Sequence, residues 1–184
     1  MADGTLKVGT ITTSSGSGTI TLGQSGETIN IPSGATISGA GASTPAFLAR
    51  QSSGQSFAAS STTTLIQFDA EVFDTDNAFD TSTYRFTPQE SGKYYCTLFF
   101  QMNGTVTGRV ALTIQKNGSN VNAYVKDFAV QHDCVSVSTI IDLNGSSDYL
   151  SFNFFNQTGS SITSYNGDDS YYRTSVLAYK IVGA

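Results

Sequence analysis

The chain has 184 residues, enough for one ordinary domain with an appendage, and only 12% of them are charged against 39% hydrophobic. A formal charge of −5, with nine Lys plus Arg scattered along the chain, excludes the basic face that non-specific nucleic-acid binding requires. No apolar run approaches about 18 residues, so no transmembrane helix is expected, and such an uncharged, Gly-rich composition suits a β-rich extracellular or virion protein better than a cytosolic enzyme.

Residues 1–44 contain no Phe, Tyr or Trp. Their apolar residues come in pairs at a spacing of two, Leu6/Val8, Ile20/Leu22 and Ile29/Ile31, separated by Ser, Gly and Thr. The units GTITLG, ETINIP and ATISG form a degenerate short repeat. One copy of such a segment buries too little apolar area to offset its ordering entropy. It is therefore either a flexible tether or one strand of an intertwined, β-structured stalk, and the alternating β-branched residues favour the stalk. The opening residues carry no apolar segment of a secretory leader, so synthesis in a cytoplasm is expected, with export as part of something larger.

A Gly/Ala/Ser/Pro cluster at 41–45 marks the boundary, and aromatic residues become frequent from Pro45 onward. The second domain, 45–184, opens with a short apolar strand at 46–49 and a Ser-Gly turn. In TTTLIQFDAEVFD the phase Ile66, Phe68, Ala70, Val72 reads as a core face. A loop follows at 74–77.

Residues 79–101, FDTSTYRFTPQESGKYYCTLFFQ, are the most informative stretch. Gly92, Tyr94, Cys96, Leu98 and Phe100 fall on one face of a strand; Lys93, Tyr95, Thr97, Phe99 and Gln101 fall on the other. A strand carrying Tyr95 and Phe99 opposite its core face needs cover on both faces, from a second sheet or another subunit. Further alternating segments follow, punctuated by Asn-Gly pairs at Asn103, Asn117, Asn144 and Asn166, a strong hairpin signal. About eight to ten strands and essentially no helix are expected, as in an antiparallel β-sandwich or jelly roll.

Chemistry-bearing residues are sparse. The two cysteines, Cys96 and Cys134, are expected as free, buried thiols, and with one histidine they are too few for a zinc site. His132-Asp133 has no paired nucleophile motif, so no catalytic residue is assigned and no enzyme activity is expected. Asp74 and Asp76 form an oxygen-rich loop that makes calcium a weak possibility, with no other cofactor expected. The sequons at Asn103, Asn117 and Asn144 coincide with the hairpin turns; a fourth is at Asn156. The candidate recognition loop spans 156–172. There Tyr165, Asn166, Asp168, Asp169, Tyr171 and Tyr172 combine rings with amides and carboxylates, a mixture suited to sugar or protein recognition or to packing between subunits.

The Pro-Ala-Phe at 45–47, the central stretch with Phe79, Phe86, Thr87, Gly92 and Tyr94, and the terminal SVLAYKIV together resemble the complement C1q/TNF-like head. Pro88 lies one residue early, Cys96 stands where the family has an aromatic, and IDLNGSSDYLSF at 141–152 is similar to the family's Leu-x-x-Gly-Asp-x-Val segment through Asp148 and Leu150. The resemblance implies a ten-stranded jelly roll assembled as a homotrimer that binds partners without catalysis. On that basis Tyr95, Phe99, Tyr179 and Ile181 are the candidate trimer-interface residues. Residues 1–44 resemble the Ser/Thr/Gly-rich repeats that precede such heads in structural proteins of marine tailed phages. Together these imply a virion-surface fibre, on the tail or the capsid. It would join other virion proteins through 1–44, bind a host-surface glycan or protein with the head, and have no nucleic-acid or membrane partner. A secreted carbohydrate- or protein-binding module outside any virus is the alternative.

Overall fold

The computed structural model describes residues 45–59, 62–165 and 173–181, together with Thr10, Ile11, Thr21, Ser25, Gly26 and Thr28. The chain divides into two units, Met1–Ile37 and Ser38–Ala184. The proposed stalk or tether lies almost wholly outside the described residues. The second unit is all-β, with no helix among the described residues.

Its strands are β1 (Ala46–Arg50), β2 (Ser56–Phe57), β3 (Thr64–Leu65), β4 (Ala70–Asp74), β5 (Phe79–Asp80), β6 (Arg85–Phe86), β7 (Ser91–Asn103), β8 (Gly108–Lys116), β9 (Ser119–Phe128), β10 (Cys134–Asn144), β11 (Leu150–Gln157), β12 (Ile162–Ser164) and β13 (Ser175–Lys180). They form two antiparallel sheets. The first runs β4-β1-β13-β7-β10, with β12 and β2 continuing beside the end of β7; the second runs β5-β6-β11-β8-β9, with β3 also on β11. Thirteen segments exceed the eight to ten expected because several are two-residue pieces at sheet margins.

Period-two patterning determines the packing. On β7, Tyr94, Cys96, Leu98, Phe100 and Met102 are fully buried, so the core phase is the one expected. Val110, Leu112 and Ile114 of β8 and Leu150, Phe152 and Phe154 of β11 face them from the other sheet. Phe47 stacks on Phe79 and Phe86 at 4.7 and 4.5 Å, and Phe100 stacks on Phe154 at 4.1 Å. These rings fill the space between sheets that aliphatic residues fill elsewhere. Cys96 fits here as a small apolar group, and burial pushes its thiol pKa far up.

Two expectations are corrected. Val72 is exposed rather than in the core: β1 and β4 shift register between Leu48 and Ala49, Leu48 pairing with Phe73 and Ala49 with Glu71, so Val72 is the extra residue of a bulge. The core phase of that segment ends with Ile66 and Phe68. Cys134, expected buried, is exposed at the first position of β10. It lies opposite Gln101, while Cys96 lies opposite Thr139, so the two thiols are well separated along the ladder.

The open edge of β10 is capped. Lys116 Nζ donates to Asp142 O at 2.7 Å, Asn122 Nδ2 to Ser138 O at 2.8 Å and Lys126 Nζ to Cys134 O at 2.9 Å. The three carbonyls are four residues apart, on the side of β10 turned away from β7, so side chains of the second sheet occupy acceptors that another strand would otherwise take.

Candidate functional site

The strand ends define two poles. At one, Lys180 N donates to Pro45 O and Ile181 N to Lys93 O, at 2.9 and 2.8 Å. The chain therefore enters this domain beside the first residues of β7. At the other, Met102 N donates to Asp133 O and Tyr165 N to Gln101 O, at 2.9 and 2.7 Å. At about 3.3 Å per residue, the eight residues from Lys93 to Gln101 separate the poles by roughly 26 Å. Tyr165 thus stands at the pole away from the entry point.

That distal pole is organised by Gln101, an outward-facing residue near the end of β7. Its Nε2 donates to His132 O at 2.9 Å, and its Oε1 accepts from Arg173 Nη1 at 3.2 Å. The Arg173 guanidinium lies 4.6 Å from the Tyr165 ring centroid, and His132 meets the same ring edge-on at 5.2 Å. The Tyr165 ring is therefore packed by its neighbours on a face and an edge. Asn166, Asp168, Asp169, Tyr171 and Tyr172, the rest of the candidate recognition set, lie outside the described residues. Sequence reasoning missed Gln101 and Arg173 because neither stands in a motif; their roles arise from the pairing of β7 with β13 on one side and β10 on the other.

Asp133 supports this pole from beneath. It is bonded to Lys126 and accepts the backbone N–H groups of Ala129 and Cys134. Burial acts to raise its carboxyl pKa, but those donors outweigh burial and hold it below the ordinary value; the same contact raises that of Lys126. His132 Nδ1 faces backbone groups, Met102 O at 3.4 Å and Gly104 N at 3.5 Å, rather than a Ser or Cys nucleophile.

The loop acids also have local roles. Asp74 accepts from the backbone N–H of Asp76 at 3.2 Å and of Phe79 at 2.7 Å, which closes the loop. Among the described residues no group of three or more His, Cys, Asp or Glu is placed to hold a metal ion. A polar hollow of about 540 Å³ lies near the entry pole, lined by Asn77, Ala78, Asp80, Thr87, Gln89, Gly145 and Ser146.

The other notable surface is the outward face of the first sheet. The ladder aligns Ala46, Tyr179, Tyr95 and Ile140 in one row across β1, β13, β7 and β10. Phe73, Leu48, Leu177 and Thr97 form the next row, and Arg50, Ser175, Phe99 and Ser136 the third. Ile140 is 58% exposed, Phe73 47% and Tyr179 43%. Tyr95 and Tyr179 touch, ring centroids 5.4 Å apart. Of the candidate interface residues, Tyr95, Phe99 and Tyr179 thus share one face, and Ile181 follows β13 at the entry pole. Ile140 and Leu177 were missed. The signal for Ile140 is the doublet Ile140-Ile141, apolar on both phases of a strand.

A family model for the C1q domain matches residues 46–172. The chain belongs to the C1q domain family. Solved structures agree on the fold. The globular domain of zebrafish complement 1qA protein is 15% identical with a TM-score of 0.52, covering 75% of this chain and 97% of its own. Murine APRIL is 8% identical with a TM-score of 0.58, covering 76% and 100%. The Eiger TNF of S. frugiperda is 8% identical with a TM-score of 0.50, covering 77% and 93%. No curated protein matches the chain. The C1q-like jelly roll read from the central stretch is therefore shown.

Proposed function

We propose that this C1q-like chain is a non-enzymatic, homotrimeric binding head carried on residues 1–44. The observation that carries the reading is the apolar outer face of the first sheet. Ile140, Tyr95, Tyr179, Leu177, Leu48 and Phe99 lie on adjacent strands, and Arg50 is the one charged residue in the three rows they span. A sandwich already has its core between the sheets, so a second apolar face is a surface to be covered. The C1q family membership supports a second and third copy of the same chain as that cover. Sedimentation equilibrium of the full-length protein is expected to return three times the chain mass; a monomer at micromolar concentration would sink the reading.

The head is proposed to sit on a virion fibre and to contact a host-surface glycan or protein at its distal pole. The short Ile/Leu-paired repeats of residues 1–44 and the uncharged composition support the virion setting. The separation of Tyr165 and Arg173 from the entry point at Pro45 supports the distal contact. Antibody labelling of purified particles tests the setting, and no label on the surface would oppose it. A glycan array probed with the wild-type head and with Arg173→Ala tests the contact; equal binding by both opposes it.

A further inference from the structure

Three of the four Asn-Gly pairs lie among the described residues, and their surroundings differ in chemically meaningful ways. The Asn117 amide is held across its hairpin: Nδ2 donates to Asp148 Oδ1 at 2.7 Å and Oδ1 accepts from Tyr149 N at 3.0 Å. The Asn144 amide is held more tightly still. Its Oδ1 accepts from the N–H groups of Ser146, Ser147 and Asp148, each at 3.0 Å, and its Nδ2 donates to Ser147 Oγ at 2.9 Å. Gly145 is also wedged against the backbone of Glu90 and Ser91. Asn103 has none of this. Its exposed side chain takes no hydrogen bond among the described residues, and nothing lies within 4 Å of where a Cβ on Gly104 would be. Only here does a base approach the glycine nitrogen. His132 Nδ1 stands 3.5 Å from Gly104 N, and His132 N donates to Gly104 O at 2.9 Å, which ties the imidazole to this peptide.

We infer that Asn103-Gly104 is a self-modification site at which the head converts an asparagine to aspartate and isoaspartate, assisted by His132. Gly104 N attacks Asn103 Cγ. The new N–Cγ bond closes a succinimide, and the Cγ–Nδ2 bond breaks. His132, with Nδ1 unprotonated, takes the proton from Gly104 N and returns it to the departing group, which leaves as ammonia. Water then adds to either imide carbonyl, giving the side-chain acid or the backbone-lengthened isomer. Water is the one reactant that enters, ammonia leaves, and no oxidant is needed. The free Asn103 amide can approach its neighbour, whereas Asn117 and Asn144 must first break the bonds that hold them. The outcome is a new carboxylate at the distal pole, beside His132 and two residues beyond Gln101.

The test is peptide mapping by mass spectrometry on full-length protein incubated warm at neutral pH. Wild type is expected to convert Asn103 several-fold faster than Asn117 and Asn144. Equal or slower conversion at Asn103 would overturn the assignment, and that comparison needs no variant. For the histidine, His132→Asn keeps a residue that tolerates the left-handed conformation found there, φ 56°. It is expected to slow Asn103 several-fold while leaving Asn117 and Asn144 unchanged. An unchanged rate at Asn103 would remove His132 from the reaction. Loss of fold would instead speed all three sites together, contradicting the expected selective slowing.

Discussion

Gly145 and Gly118 occupy equivalent places in Asn-Gly turns, yet they tolerate a side chain very differently. Both have positive φ, 71° and 79°, but a Cβ at Gly145 would lie 2.2 Å from Ser91 N, whereas at Gly118 the nearest atom is Tyr149 OH at 3.9 Å. Gly118→Ala is expected to cost about 1 kcal/mol for its backbone conformation alone. Gly145→Ala must also displace the start of β7 and is expected to cost about 3 kcal/mol or more by urea unfolding. Equal midpoints for the two variants would refute the close approach. Titration acts at the same scale. Lys116 and Asn117 hold the Asp148 carboxyl pKa below its ordinary value, and Lys126 with two backbone N–H groups does so for Asp133 against its burial. A depressed carboxyl stabilises the fold above the unfolded pKa of about 3.9 and loses that contribution as pH falls through the lower folded value. The melting temperature is therefore expected to hold from neutral pH to about pH 5 and to fall below about pH 4. In Asp133→Asn/Asp148→Asn that acid limb should be shallower, as read by differential scanning calorimetry. Such residue-level partners were not legible in the sequence. Asp148 read as a family position because its partners Lys116 and Asn117 come from a distant hairpin, and Asp133 as half of an enzyme-like pair because the turn that folds it back onto Lys126 carries no motif.

At the scale of elements, long strands were legible and short ones were not. Residues 91–103 alternate without a break, and their core face matches the expected phase because only one register buries Tyr94, Leu98 and Phe100 together. The stretch from Ile66 to Val72 also alternates in sequence, but it leaves β11 of one sheet and joins β1 of the other with a bulge between. Pattern alone cannot register a strand that changes sheets. The capping of β10 was likewise invisible, since nothing in the sequence pairs Lys116, Asn122 and Lys126 with carbonyls of a later strand. Asn122→Ala removes one cap and frees Ser138 O on an edge that pairs on one side only. The lost hydrogen bond is expected to cost about 1 kcal/mol. The larger effect expected is association: Asn122→Ala/Lys126→Ala should show faster growth of light scattering on warming than wild type, at temperatures where both remain folded. If the double variant stays as clear as wild type, the caps do not protect the edge.

The second unit carries two sheets whose outer faces differ, one mixed and the other mainly apolar. The outer face of the second sheet is built from Thr113, Ser151, Asn153 and Gln115, tied by the Asn153 Nδ2 to Gln115 Oε1 bond at 2.9 Å. Beside these polar groups Phe155, Ala111 and Val125 make one apolar row, so this face is mixed in character. The outer face of the first sheet has Ile140, Tyr179 and Leu48 where such pairs would stand. This asymmetry was half legible: Tyr95 and Phe99 marked the right face, but its width across four strands required the register. A paired substitution separates the two faces. Ile140→Asp and Val125→Asp each put a carboxylate on an exposed strand position, 58% and 46% exposed, one on each sheet. In an isolated chain both changes would be nearly neutral, within about 0.5 kcal/mol, because neither side chain is in the core. In a trimer that covers the first sheet, Ile140→Asp loses the burial of an isoleucine, about 2 kcal/mol, and desolvates a charge at each of three equivalent contacts. Sedimentation equilibrium is therefore expected to find Ile140→Asp as monomer where Val125→Asp remains assembled. The Ile140→Asp monomer should retain the far-ultraviolet dichroism of the jelly roll. Should both variants stay assembled, or both dissociate, the first sheet would have no special claim to the interface, and its apolar rows would need another occupant.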